Sequence, residues 1–320
     1  MTSESGKAVE VTGLTKVYRA GSGTRRVVDG LHLAIEHGQV LGLLGVNGAG
    51  KTTTIKMICG LVTPTSGELR VNGCDVRRSR RRAMAQIGAV LEGTRNIYWQ
   101  LSAWENLRYF ARLKGSRGTA WRDRAEQLLR DLELWERRHE PVTRFSRGMQ
   151  QKVAIACALI GDPPVILLDE PTLGLDAQAS RTVRLWVDRL AREEGRTVLL
   201  TSHQLEVVQD LCDRVAVIHQ GRMLIDKPVK ELLALFGKDS YEIRLGGHLD
   251  AREPAWRDLE VTARDGEITL SGGINDQEEL HELLAHARSR SLTVLGINRL
   301  EPTLEEVFLR VVQDEQELRR

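Results

Sequence analysis

The sequence Leu41-Gly-Leu-Leu-Gly-Val-Asn-Gly-Ala-Gly-Lys-Thr-Thr-Thr54 joins a short apolar run to a glycine-rich turn and then to a Lys-Thr step. Gly45, four residues and Gly50-Lys51-Thr52 have the spacing of a phosphate-binding loop. The glycines let backbone N–H groups approach phosphates, Lys51 can reach the β and γ phosphates, and the Thr52 hydroxyl can ligate Mg²⁺. A helix that begins near Gly50 would also direct its positive end at the anion. The stretch therefore predicts a phosphate site between a buried strand and a helix.

Length and charge limit the remaining possibilities. At 320 residues the chain exceeds the usual size of one domain, so we expect a large nucleotide domain and a smaller appendage. Charged residues make up 28% and the net charge is only +2, so the balance does not call for nucleic acid as a partner. The local run Arg77-Arg-Ser-Arg-Arg-Arg82 fits a solvated helix face, or a contact with phosphates, lipid headgroups or another subunit.

Cysteine spacing and hydropathy predict a reduced, cytosolic protein. The four cysteines are scattered without a C-x-x-C spacing, which argues against a zinc site and a disulfide framework. No apolar run approaches the roughly 20 residues that span a bilayer, and the start Met1-Thr-Ser-Glu-Ser-Gly lacks the form of a signal peptide. Any membrane association is therefore expected through a partner.

Periodicity divides the first 236 residues into strands and helices. Alternating residues from Ala8 to Ile35 predict antiparallel strands, and Val40 to Leu44 a buried strand. Helical spacing over Leu101–Leu113, Thr119–Leu134 and Arg147–Ile160 predicts a helical insertion between two strands. On the first strands, Tyr18 could stack on an adenine ring or could simply pack, and spacing alone leaves both open.

Two apolar runs end on polar residues that suit the same sheet edge. Pro164-Val-Ile-Leu-Leu-Asp169-Glu170 ends on two acids, of which the first suits the Mg²⁺ shell and the second an attacking water. Arg196-Thr-Val-Leu-Leu-Thr-Ser-His203 ends on a Ser-His pair at the edge where ligands gather. Beyond a predicted linker at Gly237–Ser240, alternating and amphipathic segments predict a compact α+β module without a catalytic constellation.

Over residues 8 to 236 these elements closely resemble the nucleotide-binding subunit of an ABC transporter. In that resemblance Gly45 to Thr52 is the Walker A loop, and Val165 to Asp169 with Glu170 is Walker B with its catalytic glutamate. Ser146-Arg-Gly148 is similar to the signature loop, Leu173-Gly-Leu-Asp176 to the D-loop, and His203 to the switch histidine, while Tyr18 holds the adenine-stacking position. The resemblance implies an α/β P-loop NTPase with a mixed sheet core, an antiparallel β subdomain and a helical insertion at about 98–160. The expected domains are 1–237 and a small α+β domain at 238–320.

The resemblance also implies a mechanism. Two copies would enclose Mg-ATP, with Glu170, His203 and Lys51 in catalytic roles and Thr52, Asp169 and Glu92 at the metal. The residues expected to bind ATP are Tyr18, Asn47, Gly48, Ala49, Gly50, Lys51, Thr52 and Thr53 from one copy, with Ser146 and Gly148 from the other. Transport would require a separate membrane-spanning permease, which would hold the chain at the cytoplasmic side of the membrane.

Two departures from the common family pattern stand out. Glu92 replaces the Q-loop glutamine, which keeps an oxygen for Mg²⁺ or water but adds negative charge, and the signature reads Phe-Ser-Arg-Gly-Met. The Glu92 variant, the Tyr98-Trp99 neighbourhood and the ending Glu301-Pro-Thr-Leu-Glu-Glu-Val-Phe308 resemble exporter ATPases of the daunorubicin-resistance type.

The permease is expected to dock around Glu92 and Asn96 to Trp104, unless the aromatic residues Tyr98, Trp99 and Trp104 pack internally. The alternative function is a soluble ABC ATPase acting on nucleic acid or the ribosome. The single nucleotide domain and the lack of heptads and zinc cysteines disfavour it.

Overall fold

A computed structural model describes residues 6–20, 23–93, 96–236, 240–247, 256, 259–264, 266–274, 277–300 and 303–317. The chain divides into two compact units, Met1–Val229 and Lys230–Arg320. This division comes earlier than the boundary expected after residue 237. Because residues 237–239, and with them most of the predicted linker, lie outside the described residues, that boundary stays a prediction. Residues 301–302 of the C-terminal motif lie outside them as well.

The first unit contains ten strands and seven helices among its described residues. The strands are β1 Val9–Ala20, β2 Gly23–Ile35, β3 Val40–Leu44, β4 Ser66–Val71, β5 Cys74–Asp75, β6 Ile87–Val90, β7 Val165–Asp169, β8 Thr197–Thr201, β9 Arg214–His219 and β10 Arg222–Pro228. The helices are α1 Lys51–Ile58, α2 Arg80–Ala85, α3 Ala103–Leu113, α4 Trp121–Asp131, α5 Arg147–Leu159, α6 Ala177–Arg192 and α7 Leu205–Leu211. A further helix, α8 Val229–Phe236, begins at the division between the units.

Two sheets form the first unit. The central sheet has the order β10-β9-β3-β8-β7-β6, with β10 antiparallel to its neighbour and the other strands parallel. Every residue of β3, β7 and β8 is buried, which is why these strands read as unbroken apolar runs. The second sheet is antiparallel, in the order β2-β1-β4-β5. The predicted α/β fold with a mixed sheet and an antiparallel subdomain is confirmed.

The helical insertion consists of α3, α4 and α5, between β6 and β7. A capping box starts α3, because Ser102 Oγ accepts from the Glu105 N–H at 3.2 Å while the Glu105 carboxylate accepts from the Ser102 N–H at 2.9 Å. Helix α5 packs closely on β6, since a Cβ added at Gly88 would lie 2.5 Å from the Ala158 carbonyl oxygen. This contact holds the insertion against the edge of the central sheet.

The second unit is a small α+β fold with its own core. Its elements are β11 Ser240–Gly246, β12 Glu260–Arg264, β13 Glu267–Gly273, α9 Gln277–Ser289, β14 Thr293–Leu300 and α10 Leu304–Glu317. The strands form an antiparallel sheet in the order β12-β13-β11-β14. Its core includes Leu245, Trp256 and Leu270, each at most 1% exposed.

The cysteines are free thiols. Cys59, Cys157 and Cys212 are buried, whereas Cys74 on β5 is partly exposed. Burial raises the pKa of Cys59 to about 12 and raises the pKa values of Cys157 and Cys212 further. Among the described helices, none combines the length and the hydropathy that a membrane span requires. On α2 the side chains Arg80 to Arg82 are exposed, as a solvated helix face predicts.

Candidate functional site

The phosphate loop connects β3 to α1 in a conformation that only glycines tolerate at several positions. Gly48 and Gly50 have φ values of +80° and +110°, in the left-handed region. A Cβ at Gly45 would lie 2.3 Å from the Ile218 carbonyl oxygen, and one at Gly50 would lie 2.8 Å from the Val27 carbonyl oxygen. The loop is therefore held close to neighbouring backbone and has no room for larger residues at these positions.

The start of α1 is open to an anion. Gly50 is the N-cap and offers no side chain to cap the helix, and no acidic residue occupies the first turn. The N–H groups of that turn have no acceptor inside the helix, so they remain available to phosphate oxygens.

Lys51 reaches back over the phosphate loop. Its ammonium donates to the Gly45 carbonyl at 2.6 Å. Burial lowers the pKa of Lys51, while the charges of Glu170, Asp169 and Glu92 act in the opposite direction. The ammonium thus lies within the field of three carboxylates, all of them predicted site residues.

Asp169 ends β7 next to the phosphate loop. Its Oδ1 accepts from the Thr201 hydroxyl at 2.7 Å and from the Thr52 hydroxyl at 3.5 Å. Its Oδ2 is buried and has no hydrogen-bond partner among the described residues. A buried carboxylate oxygen without a donor, beside a threonine hydroxyl, fits a hard divalent cation with oxygen ligands. The residues present therefore suit Mg²⁺.

Glu170 follows Asp169 and contacts the predicted switch histidine. Its Oε2 lies 2.9 Å from His203 Nδ1 and accepts from the His203 N–H at 3.3 Å. The Glu170 side chain is only 10% exposed, whereas that of His203 is 56% exposed. Glu170 has φ +54°, an unusual conformation for a residue other than glycine. The strand ends therefore hold a carboxylate and an imidazole together at the mouth of the site.

These residues line one cleft of about 680 Å³ in the first unit. All predicted residues of one copy's nucleotide site are in it, including Tyr18, which is 39% exposed, and Glu92. The lining is Tyr18, Arg25, Val27, Asn47, Gly48, Ala49, Gly50, Lys51, Thr52, Thr53, Glu92, Asp169, Glu170, Leu173 and His203. The arrangement suits a ligand with an aromatic base at one end and a polyphosphate at the other.

Comparison with known proteins decides the family. The ABC transporter model matches residues 28–173. The linearmycin resistance ATP-binding protein LnrL of Bacillus subtilis (strain 168) is 33% identical over 307 residues, which cover 94% of this chain and 97% of that protein. This chain belongs to the ABC transporter family.

Two further relatives refine the comparison. The daunorubicin/doxorubicin resistance ATP-binding protein DrrA of Streptomyces peucetius is 36% identical over 97% of this ABC chain and 93% of its own length. The dimeric post-hydrolysis state of the ATP-binding cassette MJ0796, bound to ADP and Pi, matches with a TM-score of 0.64 at 27% identity. It covers 69% of this chain and 98% of that one. The resemblance to daunorubicin-resistance ATPases is confirmed, and this ABC chain binds and hydrolyses ATP.

The second unit and the alternative function also appear in the comparison. A model described as a domain of unknown function (DUF8691) matches residues 240–298. The relatives named here are transporter and resistance ATP-binding proteins, which give no support to a role on nucleic acid or the ribosome. This ABC chain is therefore an ATPase subunit of the transporter type.

The ABC signature loop lies away from the phosphate cleft of its own chain. Ser146 is the N-cap of α5, where its Oγ accepts from the Met149 N–H at 3.3 Å. Gly148 packs against α6, since an added Cβ would lie 2.7 Å from Ala179 Cβ. Neither residue lines the cleft around Lys51. The structure thus separates these two from the other ATP-binding predictions, as expected of groups that serve a second copy.

The aromatic residues near Glu92 divide into two sets. Tyr98 is 48% exposed and Trp99 40% exposed. Trp104 instead packs against Trp121 with a centroid distance of 4.8 Å, inside the helical insertion. Internal packing therefore holds for Trp104 alone among the three.

Sequence reasoning missed several residues of the site. Thr201 holds Asp169 Oδ1, and Gln204 Oε1 accepts from the Thr172 hydroxyl at 2.8 Å beside the catalytic strand ends. Arg25 lines the nucleotide cleft from β2. A signal existed for Thr201, because a hydroxyl residue closes the otherwise apolar run Val198 to Leu200. Arg25 has no comparable local signal.

Proposed function

We propose that two copies of this chain close around Mg-ATP and that its hydrolysis drives export through a separate membrane-spanning subunit. The observation that carries the proposal is the convergence of Lys51, Asp169 and Glu170 on one cleft, with the signature loop outside it. A cleft that lacks Ser146 and Gly148 needs them from another copy to enclose the γ-phosphate. The dimeric state of the MJ0796 cassette supports that arrangement.

Thr52 and Asp169 would hold the magnesium ion. The Thr52 hydroxyl and the unpartnered Asp169 Oδ2 supply oxygen ligands on neighbouring elements. When bound, Mg²⁺ neutralises the β and γ phosphates and bridges their oxygens. Glu92 adds a third carboxylate at the rim of the cleft, either as a ligand or through water.

Glu170 is the proposed base for the attacking water. Its carboxylate is mostly buried and is held by His203 Nδ1 and the His203 N–H, so it does not need to be ordered when ATP binds. His203 in turn is exposed enough to meet the γ-phosphate. Lys51 and the N–H groups at the start of α1 stabilise the charge on the phosphates.

The proposed partner in the membrane is a permease subunit. Tyr98 and Trp99 are exposed near Glu92, which provides an aromatic surface next to the nucleotide cleft. The names of the relatives refer to linearmycin and daunorubicin/doxorubicin resistance, and they support export of a toxic compound. Through this partner the chain would lie at the cytoplasmic side of the membrane.

The substitution Glu170→Gln tests the proposed function. It removes the base but keeps the shape, so we expect steady-state ATP hydrolysis to fall by about 100-fold or more. ATP binding should persist, and light scattering after gel filtration should show a dimer in ATP and Mg²⁺. Glu206→Gln, on the exposed face of nearby α7, is the matched control and should keep normal turnover. Normal hydrolysis by the Glu170→Gln variant, or a strict monomer with ATP, would contradict the proposal.

A further inference from the structure

Arg147 is the charged residue of the signature loop, between Ser146 and Gly148. It is the first residue of α5 and its side chain is exposed. Within the described part of the chain, its guanidinium makes no hydrogen bond or ion pair. The commoner family pattern has glycine here, so the loop carries a cation that the common pattern does not need.

The location of this cation is unfavourable within the isolated chain. The N-terminus of a helix is its positive end, and the first turn of α5 contains no acidic residue. Neither the helix nor a neighbouring carboxylate neutralises Arg147. A guanidinium together with open N–H groups at a helix start matches an anion that comes from outside the chain.

The surroundings of Arg147 direct it to the surface that faces a second copy. Its Nη1 would lie 3.7 Å from a Cβ built at Gly174, in the D-loop that follows Glu170. Gly148 fixes the backbone against α6, and Ser146 is engaged in capping. Arg147 is thus the long side chain of this loop that can extend, and it does not line its own chain's nucleotide cleft.

We propose that Arg147 crosses the dimer and binds the γ-phosphate of the ATP held by the other copy. The inference rests on the proposed function, because two copies must enclose the nucleotide. A guanidinium can donate two parallel hydrogen bonds to phosphate oxygens, and it offsets the charge that builds up on the transferring group. Arg147 then contributes to both ATP-dependent dimerisation and turnover.

Substitution of Arg147 gives the first test. Arg147→Ala should lower kcat by about 10- to 100-fold, the range for loss of one charge-stabilising donor. Arg147→Lys should recover part of the rate, because it keeps the charge but not the paired donors. Arg144→Ala, an exposed arginine in the same loop, is the matched control and should keep the wild-type rate. Wild-type kcat for Arg147→Ala would overturn the inference.

A mixing experiment tests whether Arg147 acts on the other copy. Lys51→Ala and Arg147→Ala chains are each expected to be inactive or weak alone. In a mixed dimer, the intact Lys51 of one chain meets the intact Arg147 of the other, so one complete site forms. We expect the mixture to exceed the mean activity of the separate variants several-fold. If Arg147 acts within its own chain, no complete site forms, and a mixture without gain overturns the inference.

A parallel mixture separates this inference from the proposed function. Ser146→Ala combined with Lys51→Ala should also regain activity, because Ser146 is proposed to serve the second copy. Gain with Ser146→Ala but not with Arg147→Ala overturns the role of Arg147 and leaves the shared-site dimer standing. No gain in either mixture overturns both.

Discussion

Glu170 combines an uncommon backbone conformation with tight support from the neighbouring strand. At φ +54° its backbone is left-handed, a state that costs about 1–2 kcal/mol for residues with a Cβ. The Glu170 N–H donates to the Thr201 carbonyl at 3.2 Å and to Thr201 Oγ1 at 3.0 Å. These bonds stabilise the turn, and the turn in turn directs the carboxylate at His203.

Thr201 is therefore expected to affect both acids without touching nucleotide. Thr201→Val keeps the shape of the buried side chain but removes the hydroxyl that donates to Asp169 Oδ1. We expect kcat to fall about 10-fold and the Mg²⁺ concentration for half-maximal activity to rise, as for other residues that orient metal ligands. ATPase assays in a magnesium titration measure both quantities.

Thr197 provides the control for this prediction. It begins β8, at the opposite end from the cleft, and its hydroxyl accepts from the Gly38 N–H at 3.0 Å. Thr197→Val should lower thermal stability but leave the magnesium dependence unchanged. An unchanged magnesium titration in Thr201→Val would show that Thr201 does not orient the metal ligand.

The helical insertion depends at the element scale on how its helices begin. The Ser102–Glu105 capping box starts α3, and hydrogen bonds from the Ser102 N–H and hydroxyl hold the pKa of Glu105 below its usual range. A carboxylate with a lowered pKa in the folded state contributes stability above its unfolded pKa. That contribution is lost as pH falls through the folded pKa.

Glu105→Gln should show this pH dependence. At pH 7 we expect a loss of about 0.5 kcal/mol in the free energy of unfolding, a small value because the carboxylate is partly exposed. The difference from wild type should shrink as pH falls below about 4.3, the usual pKa of Glu, because both states then bind the proton. Urea denaturation at several pH values measures it. Ser102→Ala should make the Glu105 substitution nearly silent, and full additivity of the two would argue against the box.

Elements were more predictable than the contacts between them. Strand β3 and helix α8 lie where periodicity places them, because hydrophobic pattern is local. The pairing of Asp169 with Thr201 is not local, since it depends on the register of β7 against β8. The same limit applies to Arg25, which reaches the cleft only because β2 folds beside the phosphate loop. Local pattern predicts which residues end strands, but tertiary packing decides which of them meet.

At the scale of the whole molecule, the two units have separate cores. The first contains Leu41 and Leu167 of the central sheet, and the second contains Leu245 and Leu270. ATP binds in the first unit, and a ligand stabilises the folded state that binds it. Nucleotide should therefore act mainly on one of the two cores.

Thermal unfolding should reveal this division as two transitions. Mg-ATP added to the Glu170→Gln variant should raise the midpoint of one transition and leave the other nearly unchanged. Leu245→Ala, which removes a fully buried side chain, should lower the other transition by about 2–5 kcal/mol of stability. Differential scanning calorimetry separates the two. A single transition that shifts with both changes would indicate one cooperative body.

The arrangement of the thiols makes the native chain convenient for spectroscopy. Three of the four sulfurs are buried and their pKa values are raised, so a maleimide dye has Cys74 as its accessible target. Cys74 pairs with Val71 in the antiparallel sheet that carries Tyr18. A fluorophore at this position would report association of two labelled chains by energy transfer, without any engineered cysteine or deletion.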